Sequence, residues 1–346
     1  MRIAILGSVV LSVPPPFQGG TEWIAYYQAL GLSRKGHTVI LFAAKGTAKN
    51  FNGSDIRVIE VGADQEFDSS LTESSRRLRI EMVYLSEIVN KLIEHKDEYD
   101  LILNNMRGEA AFLPVAKLLD KQLVNVMHLN LFPELAELFK VFNTNIITIS
   151  NAQRKEYPGL NYLATVYNGV DIDKFSFSSS AKDYLLMMGT IGRHKNQGAA
   201  IQAAKKLGMK LILAGKIRDK DYFEELKKDI DQKQIKWLGE IGFEEKVKLY
   251  KEAKAFLFPI QWEEPFGLVL IEAMSCGTPV VAFNHGAISE VVRDGLTGYV
   301  VENTSQMIDA VRKIDSINRQ NCRKIVEENF TIGRMIDGYE QALKSI

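Results

Sequence analysis

Short apolar runs rich in β-branched residues alternate with longer stretches of helical periodicity along this whole chain. That pattern demands parallel sheets covered by helices on both faces, because parallel strands are joined only through crossovers long enough to hold a helix. In the first half the predicted strands are residues 2–7, 37–43, 56–61, 100–104, 123–127 and 145–150. A second series covers residues 184–188, 210–214, 235–238, 255–258, 278–282 and 298–301. Between the two, residues 168–183 (NGVDIDKFSFSSSAKD) lose periodicity and gather Ser, Gly and Asp, as an interdomain connection does. The chain has 346 residues, too many for one ordinary core and suited to two domains of about 150 to 200 residues each. Two such domains imply a cleft. After Asn303 the pattern is helical to the end, and Phe330, Ile332, Met335, Ile336, Tyr339 and Leu343 form an apolar stripe that needs a groove. No repeat or heptad seam is visible, which excludes solenoids and coiled coils.

Composition narrows the function classes. Lys plus Arg and Asp plus Glu both number 43, so no global basic field draws the chain to nucleic acid or to an anionic membrane, and any anion site must be local. Hydrophobic residues at 46% and charged residues at 25% fit an ordinary soluble protein. Cys276 and Cys322 have no metal-ligand or disulfide-framework spacing, and a reducing cytoplasm fits them. The uncharged run from residue 3 to residue 21 stops its apolar part at Pro14-Pro15-Pro16. It is short for a bilayer span and lacks an A-x-A cleavage site, so the expected location is cytoplasmic.

The densest chemistry is Glu264-Pro265-Phe266-Gly267-Leu268-Val269-Leu270-Ile271-Glu272, which follows the strand ending near Pro259 and opens a helix near Gly267. In open α/β sheets, ligands bind outside the carboxyl ends of the strands, and a helix N-terminus there offers free N–H groups and a positive dipole end to a diphosphate. Glu264 precedes the helix and Glu272 lies about five residues inside it, so the two carboxylates address different parts of one ligand. One can accept from sugar hydroxyls and the other from ribose hydroxyls. The plainer alternative makes Glu264 a helix-terminal charge and Glu272 a solvated face residue.

On these residues the chain resembles glycosyltransferase family 4, a retaining family with the two-domain GT-B fold: Glu264 and Glu272 match its E-x7-E motif. The resemblance continues through EAMSCGTPVVAF (residues 272–283), Gly286, Glu290-Val291-Val292, Asp294-Gly295 and Thr297 to Val301. Ahead of the motif, Trp237-Leu238-Gly239-Glu240 resembles the family's base-binding loop. The resemblance implies two Rossmann-like α/β/α domains with a deep cleft between them. Residues 1–170 would be the acceptor-binding domain, residues 171–329 the donor-binding domain, and residues 330–346 a helix crossing back to the first. It also implies a nucleotide diphosphate sugar as donor, a sugar-accepting hydroxyl as the partner, no metal and no separate cofactor. Glu264, Pro265, Phe266, Gly267, Leu268, Glu272, Leu238, Gly239 and Lys195 would line the donor site.

Other positions extend the resemblance. Gly19-Gly20-Thr21-Glu22 stands where the family has its glycine-rich loop, and two glycines let backbone approach a phosphate closely. Taken alone the pair is a flexible turn. Lys195, in Gly189-Thr190-Ile191-Gly192-Arg193-His194-Lys195, aligns with the lysine that binds the donor diphosphate, where a cation offsets departing charge. The family has Arg directly after the first glycine, whereas this chain has Thr190 there; Arg193 either reaches the phosphates from another point of the loop or does not take that role. His128, at the end of a strand, falls where relatives place a histidine beside the donor sugar; a structural hydrogen-bonding role is the alternative. His37 and His95 read as surface or helix-end residues. His285 precedes Gly286 where relatives read Gly-Gly, and either crowds the sugar pocket or caps a turn.

Three D-x-D strings, Asp171-Ile172-Asp173, Asp219-Lys220-Asp221 and Asp229-Ile230-Asp231, read as chance matches to the metal signature of the other main glycosyltransferase fold. Cys276 reads as a packed residue and not as a nucleophile. Arg76-Arg77-Leu78-Arg79 reads as a solvated helix face, with contact to an anionic lipid or acceptor as the alternative. The acceptor surface is expected around residues 8–20, 67–80 and Arg107, and the acceptor itself is a glycan, a lipid-linked group or a small molecule. The donor base is open among UDP, GDP, ADP and dTDP. A nucleotide-sugar epimerase of the same fold and a non-catalytic sugar-nucleotide-binding protein are the rival readings. A dehydrogenase fits poorly, because GSVVLSVPPPFQGG after the first strand is not G-x-G-x-x-G.

Overall fold

The structure is a computed structural model that describes residues 1–16, 19–63 and 74–346. The chain forms two compact units. Residues 1–149, 153–166 and 335–346 make the first, and residues 150–152 and 167–334 make the second.

The first unit holds a seven-stranded parallel sheet of β1 (Arg2–Leu6), β2 (Thr38–Ala44), β3 (Arg57–Val61), β4 (Leu101–Asn104), β5 (Gln122–Met127), β6 (Asn145–Thr148) and β7 (Tyr162–Thr165), in the order 3-2-1-4-5-6-7. Its crossovers carry α1 (Gly20–Arg34), α2 (Ser74–Glu94), α3 (Glu109–Leu118) and α4 (Pro133–Phe142). β1, which opens the uncharged run at the start of the chain, is an interior strand: Ile3 pairs with both Val39 and Leu101, and Ile3 to Leu6 are wholly buried. β7 lies outside the predicted set. It is an edge strand whose four residues are all half-buried, so no alternation marks it.

The second unit repeats the arrangement with six parallel strands, β8 (Tyr184–Met188), β9 (Lys210–Ala214), β10 (Ile235–Trp237), β11 (Ala255–Phe258), β12 (Val280–Phe283) and β13 (Gly298–Val301), in the order 10-9-8-11-12-13. Helices α5 (Gln197–Leu207), α6 (Lys220–Lys227), α7 (Phe243–Glu252), α8 (Leu268–Ser275), α9 (Ile288–Val291), α10 (Thr304–Arg312) and α11 (Arg319–Asn329) cover it. In both sheets the order reverses beside the first strand of the unit, which creates a crevice at the carboxyl ends of β1 and β4 and another at those of β8 and β11.

The long segment of the second unit begins at Tyr167, just ahead of the irregular segment 168–183. That segment is packed at its start: Asn168 is buried, and Val170 bridges Thr331. The last helix, α12 (Ile332–Leu343), begins in the second unit and belongs to the first from Met335 onward. Its stripe is accordingly divided. Met335, Ile336, Tyr339 and Leu343 are buried in the first unit, whereas Phe330 packs edge-on to Phe266 and Tyr167 in the second. No helix among the described residues is long and apolar enough to cross a membrane.

Candidate functional site

The site is built at the order reversal of the second sheet, where the loops after β8 and β11 leave adjacent strands. Gln261 N–H donates to the His194 carbonyl at 2.9 Å and ties the two loops together. Lys195 ends a short turn after β8, and Glu264 stands three residues before the Gly267 cap of α8. Their side chains meet: Lys195 Nζ lies 3.2 Å from Glu264 Oε2, with the side chains 17% and 11% exposed. Desolvation makes such a pair costly to break from one side only.

Trp262, which no motif in the sequence singles out, organises this pair. Its Nε1–H donates to the same Glu264 Oε2 at 3.0 Å, and its ring lies 5.1 Å from Lys195 Nζ. The Phe258 ring stands 5.3 Å from the ammonium, so two aromatic faces and one carboxylate hold the cation. The only sequence signal is an aromatic two residues before the motif's first glutamate.

Glycine makes the loop geometry possible. Gly267 caps α8 with φ 89°, a left-handed conformation. At Gly286, φ is 61° and a Cβ would stand 2.3 Å from the Glu264 carbonyl oxygen, so only glycine lets the loop after β12 lie on Glu264. Ala287 N–H then donates to that oxygen at 2.9 Å, and Gly286 N–H donates to Glu263 Oε2 at 2.7 Å. His285 Nδ1 lies 3.3 Å from Glu263 Oε1.

Several residues expected to line the donor site have other occupations. Phe266 is buried to 1% among Tyr167 and Phe330, and Pro265 is buried and has no N–H, so these two shape the loop; the ring of Phe266 is core. Leu268 opens α8, and its backbone belongs to the N-terminal turn. Glu272 is not a solvated face residue: Oε1 pairs with Lys246 Nζ at 2.7 Å and Oε2 accepts from Tyr250 O–H at 3.0 Å, bracing α8 to α7. Arg193 turns away from Lys195. Its guanidinium is bonded to Glu225, stands 3.8 Å from Asp219 and lies over Tyr222, and its side chain is 57% exposed. The structure therefore brings Lys195 to Glu264 and takes Arg193 elsewhere. Leu238 and Gly239 sit at the end of β10, where Gly239 C=O accepts from Gly215 N–H at 2.7 Å and Leu238 N–H donates to Leu213 C=O at 3.0 Å.

In the first unit, Gly19 caps α1, so Gly20 and Thr21 present the first N–H groups of that helix. His128 follows β5, with Nε2 2.9 Å from Asn105 Oδ1; burial pushes its imidazole down to about 4, so the ring is neutral near pH 7. Arg107 is exposed ahead of α3. Of the expected acceptor surface, Phe17, Gln18 and residues 67–73 lie outside the described residues, as does the side chain of Arg77; Arg76, Leu78 and Arg79 are exposed on α2. His37 lies 3.1 Å from Glu340, and His95 lies 2.8 Å from Glu98.

One aspartate of each D-x-D string has local work. Asp219 caps α6 by accepting from Tyr222 N–H at 2.9 Å, Asp231 accepts from three successive backbone N–H groups, and Asp171 pairs with Lys174. Burial pushes both the Cys276 and Cys322 thiols up to about 12, which keeps them protonated and unreactive.

Residues 171–330 match the family described as "Glycosyl transferases group 1". A glycogen synthase of Mycobacterium tuberculosis is 30% identical over 169 residues, which is 44% of this chain and 41% of that protein. The O-antigen chain mannosyltransferase B of Escherichia coli is 35% identical over 150 residues, 41% of this chain and 39% of that protein. The chain thus spans about half the length, or less, of these curated relatives. Among solved structures, an Anabaena protein in complex with UDP and glucose aligns with a TM-score of 0.75 at 22% identity, covering 99% of this chain and 100% of that one. The likeness establishes the fold as the GT-B type.

Proposed function

We propose that this protein is a metal-independent, retaining glycosyltransferase of family 4 that moves a sugar from a nucleotide diphosphate donor to an acceptor hydroxyl. The observation that carries the reading is the Lys195–Glu264 contact at the strand-order reversal, inside the segment that matches the glycosyl transferases. A diphosphate beside Lys195 and the N–H groups at the start of α8 meets positive charge from two sources, and stabilising departing phosphate charge is the main way such a site accelerates transfer. Glu264 then accepts from sugar hydroxyls while Lys195 turns to phosphate. Glu272, already braced by Lys246 and Tyr250, retains lone pairs for ribose hydroxyls. Leu238 and Gly239 face the base. In the first unit the same reading assigns the Gly19–Gly20 turn to phosphate and His128 to the sugar. Retention without an enzymic nucleophile has the acceptor hydroxyl attack from the leaving-group face, its proton passing to a donor phosphate oxygen.

Purified protein is to be incubated with UDP-, GDP-, ADP- and dTDP-sugars, following melting temperature and nucleotide release, with UDP-glucose first because the Anabaena structure holds UDP and glucose. One donor raising the melting temperature, with EDTA-insensitive release that requires an added acceptor and an unchanged anomeric configuration in the product, is the expected result. Donor conversion without acceptor would indicate an epimerase or hydrolase, and binding without any turnover a sugar-nucleotide-binding protein.

A further inference from the structure

A line of buried polar side chains runs through the first unit toward His128. Gln28 lies on α1, Asn105 directly follows β4 and His128 directly follows β5. Asn105 Nδ2–H donates to Gln28 Oε1 at 2.7 Å, and Asn105 Oδ1 faces His128 Nε2 at 2.9 Å. An amide oxygen only accepts, so a neutral imidazole in this contact carries its proton on Nε2 and leaves Nδ1 as a bare lone pair. Gln28 fixes which way the Asn105 amide points, because turning it over would set two carbonyl oxygens against each other.

The line has an open end. Gln28 and Tyr339 are fully buried, and among the described residues neither Gln28 Nε2 nor the Tyr339 hydroxyl has a hydrogen-bond partner. Tyr339 stands on α12, and Gln28 is the side chain whose amide lowers the phenol's pKa against the rise that burial causes. Gln28 Nε2–H lacks an acceptor, and the Tyr339 hydroxyl, which accepts as well as donates, can serve as one. Buried polar groups with complementary needs pair in the native ensemble.

We infer that Tyr339 and Gln28 are positioning residues, through which the C-terminal helix holds the His128 side chain in its Nε2-protonated tautomer by way of Asn105. The tautomer stands on the hydrogen-bond line alone; its consequence for turnover rests on the proposed contact between His128 and the donor sugar.

The test is nitrogen NMR on full-length protein labelled at histidine, with the His128→Gln spectrum assigning the signal. Wild type is expected to show His128 protonated at Nε2. Tyr339→Phe keeps the ring that fills the groove and removes the oxygen beside Gln28, and Gln28→Leu cuts the line in its middle; both are expected to admit the second tautomer while melting cooperatively. Asn105→Asp, which keeps an acceptor opposite Nε2, is expected to retain the Nε2 proton and to raise the pH at which His128 charges. In donor turnover, Tyr339→Phe is expected to lower kcat about tenfold at unchanged donor KM, the size of one net hydrogen bond. A wild-type proton on Nδ1, or a single Nε2-protonated form in folded Tyr339→Phe, would overturn the inference. Mixed tautomers with unchanged kcat would uphold the relay and sink the assignment of His128 to the sugar.

Discussion

Lys195 Nζ stands 3.2 Å from Glu264 Oε2, and the two residues reach each other from strands on either side of the order reversal in the second sheet. Both side chains are largely buried, so removing one leaves an uncompensated charge. Lys195→Ala is expected to cost about 3 kcal/mol of stability, and adding Glu264→Gln to that variant is expected to restore part of it. Urea unfolding of the wild type, both singles and the double variant measures the coupling. Equal, additive losses would mean that the contact carries no energy. Donor binding by Lys195→Ala is expected to fall by at least tenfold in a titration, since the ammonium is the charge nearest the proposed diphosphate.

Trp262 serves this pair with two separate groups, an N–H on Glu264 and a ring face on Lys195. Trp262→Phe keeps the face and loses the N–H, whereas Trp262→Leu loses both. Loss of a hydrogen bond to a carboxylate is worth about 2 kcal/mol, and loss of a cation–π contact about 1 kcal/mol. The expected order of donor affinity is therefore wild type, then Phe, then Leu. Indistinguishable Phe and Leu variants would show that the ring face does nothing for the lysine.

The sheet architecture was readable because fully buried parallel strands write themselves as apolar runs, and five of the six strands of the second unit match their predicted spans to within one residue. The exception, β12, begins at Val280, two residues after the predicted start, because Thr278 and Pro279 end the turn from α8. The start of α8 was readable for a local reason also: a glycine between a strand and an apolar helix marks a cap. What escaped depends on contacts between distant parts of the chain. Arg193 reads as one more cation in a basic turn until Glu225, 32 residues away, claims it. Phe330 fits the period of α12, yet periodicity states only that a face is buried and not against which body. Trp262 was unreadable as a partner of Lys195 because the loops that join them leave different strands.

Gly286 offers a test of the loop that shapes the site without touching charge. At φ 61°, with its would-be Cβ 2.3 Å from the Glu264 carbonyl oxygen, alanine is both strained and crowded by backbone. Gly286→Ala is expected to destabilise the protein by about 2 kcal/mol and to weaken donor binding by displacing Glu264. Gly295 also has a left-handed φ of 72° but nothing within 4 Å of a Cβ, so Gly295→Ala is the control for strain alone. Equal behaviour of the two variants in thermal melts and donor titrations would remove the crowding argument.

His128 predicts a dependence on pH. Its folded value, about 4, lies below the 6.5 of an exposed histidine, so in mild acid the unfolded chain binds a proton that the folded chain refuses. Stability from this residue is complete above about pH 6.5 and declines as the pH falls toward 4, by about 2 to 3 kcal/mol in all. His128→Gln, which cannot charge, is expected to flatten that part of the stability curve measured by urea unfolding between pH 7 and pH 4. An unchanged slope in the variant would place the acid sensitivity elsewhere.

The C-terminal helix is expected to be essential to the first unit. Ile336 packs so closely on α1 that a Cβ at Gly31 would stand 2.5 Å from its side chain, and Tyr339 and Leu343 are fully buried. Around that contact, Glu340 is held by Lys344, Lys35 and His37, and these partners bring its carboxyl down to about 2. A carboxyl lowered in the folded state stabilises above its ordinary value near 4.5 and loses that contribution as the pH falls toward 2, so the tether weakens in acid. Ending the chain after Phe330 would expose the groove left by four apolar side chains at about 2 kcal/mol each, enough to unfold a domain of marginal stability. Gly31→Val, which keeps the helix but blocks its seat, is expected to have a milder form of the same effect. Hydrogen exchange should then rise across α1 and β2 while β8 and β9 keep their protection; uniform protection in both variants would show that the helix is dispensable.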